Sequence, residues 1–101
     1  MKKVFQQVSE VVKPSGFVDY KAYLLAFLNA VKTDQGKYSY QKFAEDLGFA
    51  PTGIINQIVM GRRPLSEKMA KQMCGPLVLK SSERRYFLTL VAYINEKSTN
   101  K

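Results

Sequence analysis

Histidine and tryptophan are absent from this 101-residue chain, and cysteine occurs once, at Cys74. With no histidine and a lone thiol, a Cys/His metal site has no ligand set and an intrachain disulfide has no second half. The same gap removes the usual nucleophile–histidine pairs. Paired carboxylates and a phosphate-cradling glycine loop are missing too, so the expectation is a protein that binds rather than an enzyme, with no cofactor and no metal. A single thiol needs no oxidising compartment, which makes the cytoplasm the expected location. Long apolar runs are also lacking. The longest, Tyr23 to Val31, is interrupted by Asn29 and falls far short of the ~20 residues that span a bilayer. The start of the chain, lysines followed by VFQQVSEVV, is too polar for a signal-peptide core. No membrane partner is expected.

Acid is scarce relative to base. Eight Asp and Glu stand against sixteen Lys and Arg, a formal net charge of +8. That excess favours a polyanionic partner, although many basic proteins bind no nucleic acid. The length suits one domain with one core.

What is present is helical patterning with clear punctuation. Val4, Phe5, Val8, Val11 and Val12 recur at helical spacing, while their β-branching leaves a strand open. Lys13-Pro14-Ser15-Gly16 breaks that segment, so residues 1–16 read as an N-terminal extension, 17–97 as the domain and 98–101 as a frayed tail. Asp19 caps a helix to about Thr33, whose stripe of Tyr20, Tyr23, Leu24, Phe27, Leu28 and Val31 forms a core wall. Thr33 to Lys37 reads as a polar loop turning at Gly36. After Pro64, Ser66 caps a helix with Met69, Ala70, Met73 and Cys74 inward, ended by Gly75-Pro76. Leu77 to Leu79 form an apolar link. Ser81 or Ser82 then caps a last helix to about Glu96. No strand is convincing. The expected core is Tyr23, Leu24, Phe27, Leu28, Phe43, Leu47, Ile54, Ile58, Met69 and Met73.

The centre is Ser39 to Arg63, SYQKFAEDLGFAPTGIINQIVMGRR. Tyr40, Phe43, Ala44 and Leu47 make one helix face, with Ser39 at its cap and Gly48 where a left-handed turn is easy. Pro51 suits the first position of a second helix, to about Met60. At roughly 100° per residue, Ile54, Ile55, Ile58 and Val59 fall on one arc. Thr52, Gly53, Asn56, Gln57 and Met60 fall on the other. Gly61 ends the helix, and Arg62 and Arg63 follow. Two short helices with an uncharged polar outer face and trailing arginines meet the requirements of a helix-turn-helix reader of DNA.

These residues resemble the lambda-repressor-like helix-turn-helix superfamily. They are more closely similar to the N-terminal half of a family of uncharacterised regulators abundant in predatory bacteria. The resemblance is carried by Tyr38-Ser39-Tyr40, Phe43-Ala44, Leu47-Gly48-Phe49, Gly61-Arg62-Arg63, Leu65-Ser66, Tyr86-Phe87 and Leu90-Val91, and spans roughly Phe17 to Asn95. It implies an all-α domain of five or six helices, with sequence-specific duplex DNA as partner and transcription regulation as role. Members of that family carry a further domain after this segment, and here Thr52-Gly53 stands in place of the polar pair common at the start of the reading helix.

On this reading Thr52, Asn56, Gln57 and Met60 face base edges, the two amides being able to pair donor and acceptor with adenine. Ser39, Tyr40, Gln41, Arg62 and Arg63 face phosphates. The broadly apolar last helix has residues to spare, so a homodimer through Tyr86, Leu90, Tyr93 or Ile94 is expected. The competing reading is a protein-interaction module that keeps the scaffold and has lost DNA, with Gly53 as its sign. Single-stranded RNA is disfavoured because no aromatic stacking surface lies in a basic groove. Cys74 reads as a buried small hydrophobe.

Overall fold

The stripe on the second helix sets the architecture. In the computed structural model, which describes residues 2–49 and 53–99, the elements are α1 (Lys2–Val11), a 3₁₀ turn (Pro14–Gly16), α2 (Tyr20–Gln35), α3 (Tyr40–Asp46), α4 (Gly53–Val59), α5 (Glu67–Cys74) and α6 (Ser81–Thr99). The described residues are all-α and contain no strand. Asp19 caps α2 by accepting the Lys21 N–H at 2.8 Å. From there Tyr20, Tyr23, Leu24, Phe27, Leu28 and Val31 are all buried, and α1, α4 and α6 pack around them.

Aromatic rings bind these helices together. Phe27 meets Phe5 of α1 edge-on at 5.1 Å and stacks on Phe43 of α3 at 6.1 Å. Tyr23 meets Phe27 at 6.1 Å and Phe87 of α6 at 5.6 Å, both edge-to-face. Such geometries contribute about 0.5–1.5 kcal/mol each beyond buried area. Phe5 at this junction makes the N-terminal segment, read as an extension, part of the common core. Helical spacing outweighs β-branching there, although Val11 of its stripe is 84% exposed. The following turn is tied to α6, since the Ser15 N–H and hydroxyl both donate to the Glu83 carboxylate at 3.0 Å.

Several expected boundaries shift. α2 continues two residues beyond Thr33 before Gly36, at φ +70°, stops it. α5 has the expected Ser66 cap, accepting the Met69 N–H at 3.2 Å. Gly75, however, stays right-handed, and the chain turns only at Val78, φ +56°. There the Val78 N–H donates to Gly75 O and the Leu79 N–H to Cys74 O, the pattern usually built on glycine. α6 begins one residue earlier than either serine cap allows, the Arg84 N–H donating to Lys80 O, and runs on to Thr99 through much of the supposed tail. Of the expected core, Ile54 and Met69 are only partly buried, and Ile55 takes the central place in α4.

Two of the buried tyrosines, Tyr38 and Tyr23, differ in how their hydroxyls are satisfied. Tyr38 donates to Asp46 Oδ2 at 2.5 Å, while the Tyr23 hydroxyl is buried with no hydrogen-bond partner. Burial, then the bond to Asp46, then that carboxylate's charge raise the Tyr38 pKa above the ordinary 10.0. Burial, then Cys74 and Glu83, raise that of Tyr23. The unfolded chain therefore sheds these protons from about pH 10 upward while the folded chain keeps them. Stability is retained below that pH and lost as pH climbs toward the folded values. Absorbance titration of the phenols should show Tyr23 and Tyr38 ionising only with unfolding. Tyr23→Phe keeps the ring and removes an unpaired hydroxyl, which carries a penalty of about 1–3 kcal/mol. Its Tm should be equal or higher, and a clear fall would mean that the hydroxyl holds the fold together.

Candidate nucleic-acid interface

α4 is divided along its length as its sequence requires. Ile55 and Ile58 are fully buried, Ile54 and Val59 sit at the margin, and Gly53, Asn56, Gln57 and Met60 are exposed. The inner side packs on α3 and α2. Two amides and a methionine, itself 61% exposed, thus form a strip on the far side of a helix fixed by two isoleucines. Residues 50–52 lie outside the described part, so the expected contact at Thr52 and the helix start at Pro51 do too.

Both short helices end in the same backbone device. After α3, Gly48 at φ +84° lets its N–H donate to Glu45 O at 3.0 Å and the Phe49 N–H to Ala44 O at 2.9 Å. After α4, Gly61 at φ +80° does the same, its N–H reaching Ile58 O at 3.1 Å and the Arg62 N–H reaching Gln57 O at 2.9 Å. Each pair satisfies carbonyls that a helix end leaves open. The α3 turn is braced from α5 as well, Gln72 Nε2 donating to Gly48 O at 3.1 Å. Arg62 is therefore hydrogen-bonded onto the last turn of the helix that carries Asn56 and Gln57.

The segment beyond is clamped at one peptide. The Leu65 N–H donates to the buried Tyr20 hydroxyl at 3.1 Å, and Asn95 Nδ2 of α6 donates to Leu65 O at 2.6 Å. With the Leu65 side chain fully buried, exposed Arg62 and Arg63 lie between two anchored points. Lys21 adds a cation that sequence reasoning overlooked. A Cβ placed on Gly61 would lie 3.5 Å from Lys21 Nζ. The available signal was a lysine in the first turn of a helix, where the macrodipole disfavours positive charge.

Other expected residues separate. Ser39 and Gln41 are exposed, but Tyr40 packs partly against the core. The Ser39 oxygen is occupied in capping α3, accepting the Lys42 N–H at 3.3 Å. The dimer face is broken up. Leu90 is only 8% exposed, Ile94 packs against the core, and Tyr86 donates to Phe17 O at 2.5 Å. Tyr93 alone of the four is exposed. The apolar excess of α6 is consumed inside the domain because both α5 and the 3₁₀ turn pack on it. Cys74 is buried, its thiol donating to Ala70 O at 3.3 Å, and burial pushes its pKa up. A groove of about 680 Å³ is lined by Phe5, Gln6, Glu45, Asp46, Gly75, Pro76 and Val78, none of them from α4. Among the described residues no helix is long and apolar enough to cross a membrane.

Comparison with protein-family models, curated proteins and solved structures returns no match. The class that can be stated is an all-α domain with a paired α3–α4 unit.

That unit depends on Gly48. A Cβ there would find its nearest neighbour, Gln72 Nε2, at 3.8 Å, so alanine meets backbone strain and no clash. A left-handed non-glycine residue costs about 1–2 kcal/mol, and Gly48→Ala should lower stability by that amount in denaturant titration. A neutral substitution would show that the turn relaxes without penalty.

Proposed function

We propose that this chain is a lambda-repressor-like helix-turn-helix domain that binds duplex DNA sequence-specifically, with α4 in the major groove, and regulates transcription. The observation that carries the reading is the division of α4. Its inner side is locked by Ile55 and Ile58, while Asn56, Gln57 and Met60 project outward and Arg62 is tied onto its last turn. A reading helix needs this combination, because base edges are distinguished by side-chain amides held on a rigid support and phosphates are met by cations beside the groove. Met60 supplies apolar contact for a thymine methyl. The net charge of +8 supplies the sequence-independent attraction.

Gly53, which offers no side chain to a base edge, is the feature that favours the alternative, a protein-interaction module on the same scaffold. It lacks a left-handed φ, and a Cβ there would meet nothing within 4 Å.

Selection of bound duplexes from random DNA, followed by titration of variants, tests the proposal. Asn56→Ala should weaken the preferred site by about 1–3 kcal/mol and leave random duplex nearly unaffected. Alanine is the better helix former, so the loss is not one of folding if Tm holds. Replacing Arg62 and Arg63 together should flatten the log–log salt slope by about two and weaken all sequences alike. Equal weakening of both duplexes by Asn56→Ala, or no enriched sequence, would favour a protein-interaction module on the same scaffold.

A further inference from the structure

We infer that Lys21, on the first turn of α2, is a third phosphate-contacting cation of this interface, acting with Arg62 and Arg63 although it is far from both in sequence. The inference rests on the DNA-binding reading above and adds to it a residue outside the α3–α4 unit.

Three observations converge on Lys21. Its Nζ lies 3.5 Å, and its Cδ 3.9 Å, from where a Cβ on Gly61 would stand, so the side chain lies over the glycine that ends α4. The neighbouring peptides are hydrogen-bonded in place, the Arg62 N–H to Gln57 O and the Leu65 N–H to the hydroxyl of Tyr20, the residue before Lys21. The lysine is also unspent. Among the described residues its ion-pair partner is Asp19 Oδ2 at 3.9 Å, both side chains are about 40% exposed, and the other Asp19 oxygen is occupied in capping α2. An exposed pair at that distance contributes little. A phosphate oxygen offers a stronger anion, and counterions released from the duplex add to the gain. A lysine placed against the helix dipole gains from such a phosphate what α2 withholds from it.

Asp19 then acts as a rest position for Lys21, holding the ammonium beside the end of α4 until phosphate replaces the carboxylate. Tyr20 and Asp19 set where Lys21 begins, so α2 contributes to binding through its first turn as well as to the core through its stripe.

Titration of a short random-sequence duplex across a salt series, with the whole chain, tests this. Lys21→Met should reduce the log–log slope by about 0.9, shrinking the affinity ratio between 50 and 200 mM salt about 3.5-fold. Lys21→Arg should restore the slope. If Lys21→Met leaves the slope unchanged while replacement of Arg62 and Arg63 flattens it, Lys21 is not in the interface and the DNA reading stands. If the native chain binds no duplex at any salt, both fall together. Should Lys21→Met fail to fold, Asp19→Asn carries the test, since asparagine caps a helix as well as aspartate. Removing the competing carboxylate should raise low-salt affinity several-fold, and an unchanged affinity would overturn the inference.

Discussion

The ring of Phe27 is the contact on which the domain depends. It lies at the middle of α2 and touches Phe5 of α1, Phe43 of α3 and Tyr23 one turn away, and Tyr23 in turn reaches Phe87 of α6. Phe27 and Tyr23 thereby link α2 to α1, α3 and α6. Close-packed interiors transmit displacement rather than absorb it, so the position of α3, and of α4 packed upon it, follows from this ring. The outward strip on α4 is presented by an aromatic junction that none of its own residues enters.

Around that junction the polar bonds serve geometry more than energy. Gln72 holds the carbonyl of the α3 turn, Tyr20 and Asn95 hold the two sides of the Leu65 peptide, and Glu83 holds the 3₁₀ turn. Each joins elements far apart in sequence, and each fixes a loop that would otherwise be free to move. The surface ion pair Lys71–Glu67, at 3.3 Å on exposed side chains, belongs to a class worth little. The division of labour is plain: rings and aliphatics set the helix positions, while a few side-chain hydrogen bonds hold the turn after α3 and the segment between α4 and α5.

The same division explains the two features that run against local preference. Val78 adopts a left-handed conformation that its β-branched side chain disfavours, because Leu77 before it is fully buried and Leu79 after it packs against the core. Tyr23 keeps an unpaired hydroxyl because its ring meets Phe17, Phe27 and Phe87. In both, packing outweighs a backbone or polar penalty of a few kcal/mol at most.

Local chemistry was enough to read the helix starts at Asp19, Ser39 and Ser66 and the left-handed turn at Gly48, and to place a turn at Gly36 and a helix end at Gly61, since caps and turns are decided by neighbours in the chain. Periodicity was enough to separate Ile55 and Ile58 from Asn56 and Gln57, because a helix turns by a constant angle whatever it packs against. The sequence by itself could not determine which apolar residues were surplus. Leu90 and Tyr86 looked available for a partner, yet Leu90 is buried and the Tyr86 hydroxyl donates to Phe17 O, which only the tertiary packing decides. Nor could it determine that Phe5 joins the central rings or that the N-terminal segment belongs to the core. The same holds for Lys21 at the end of α4, forty residues from Gly61 along the chain. Proximity between distant segments arises from the summed packing of the whole domain, and no local pattern carries it.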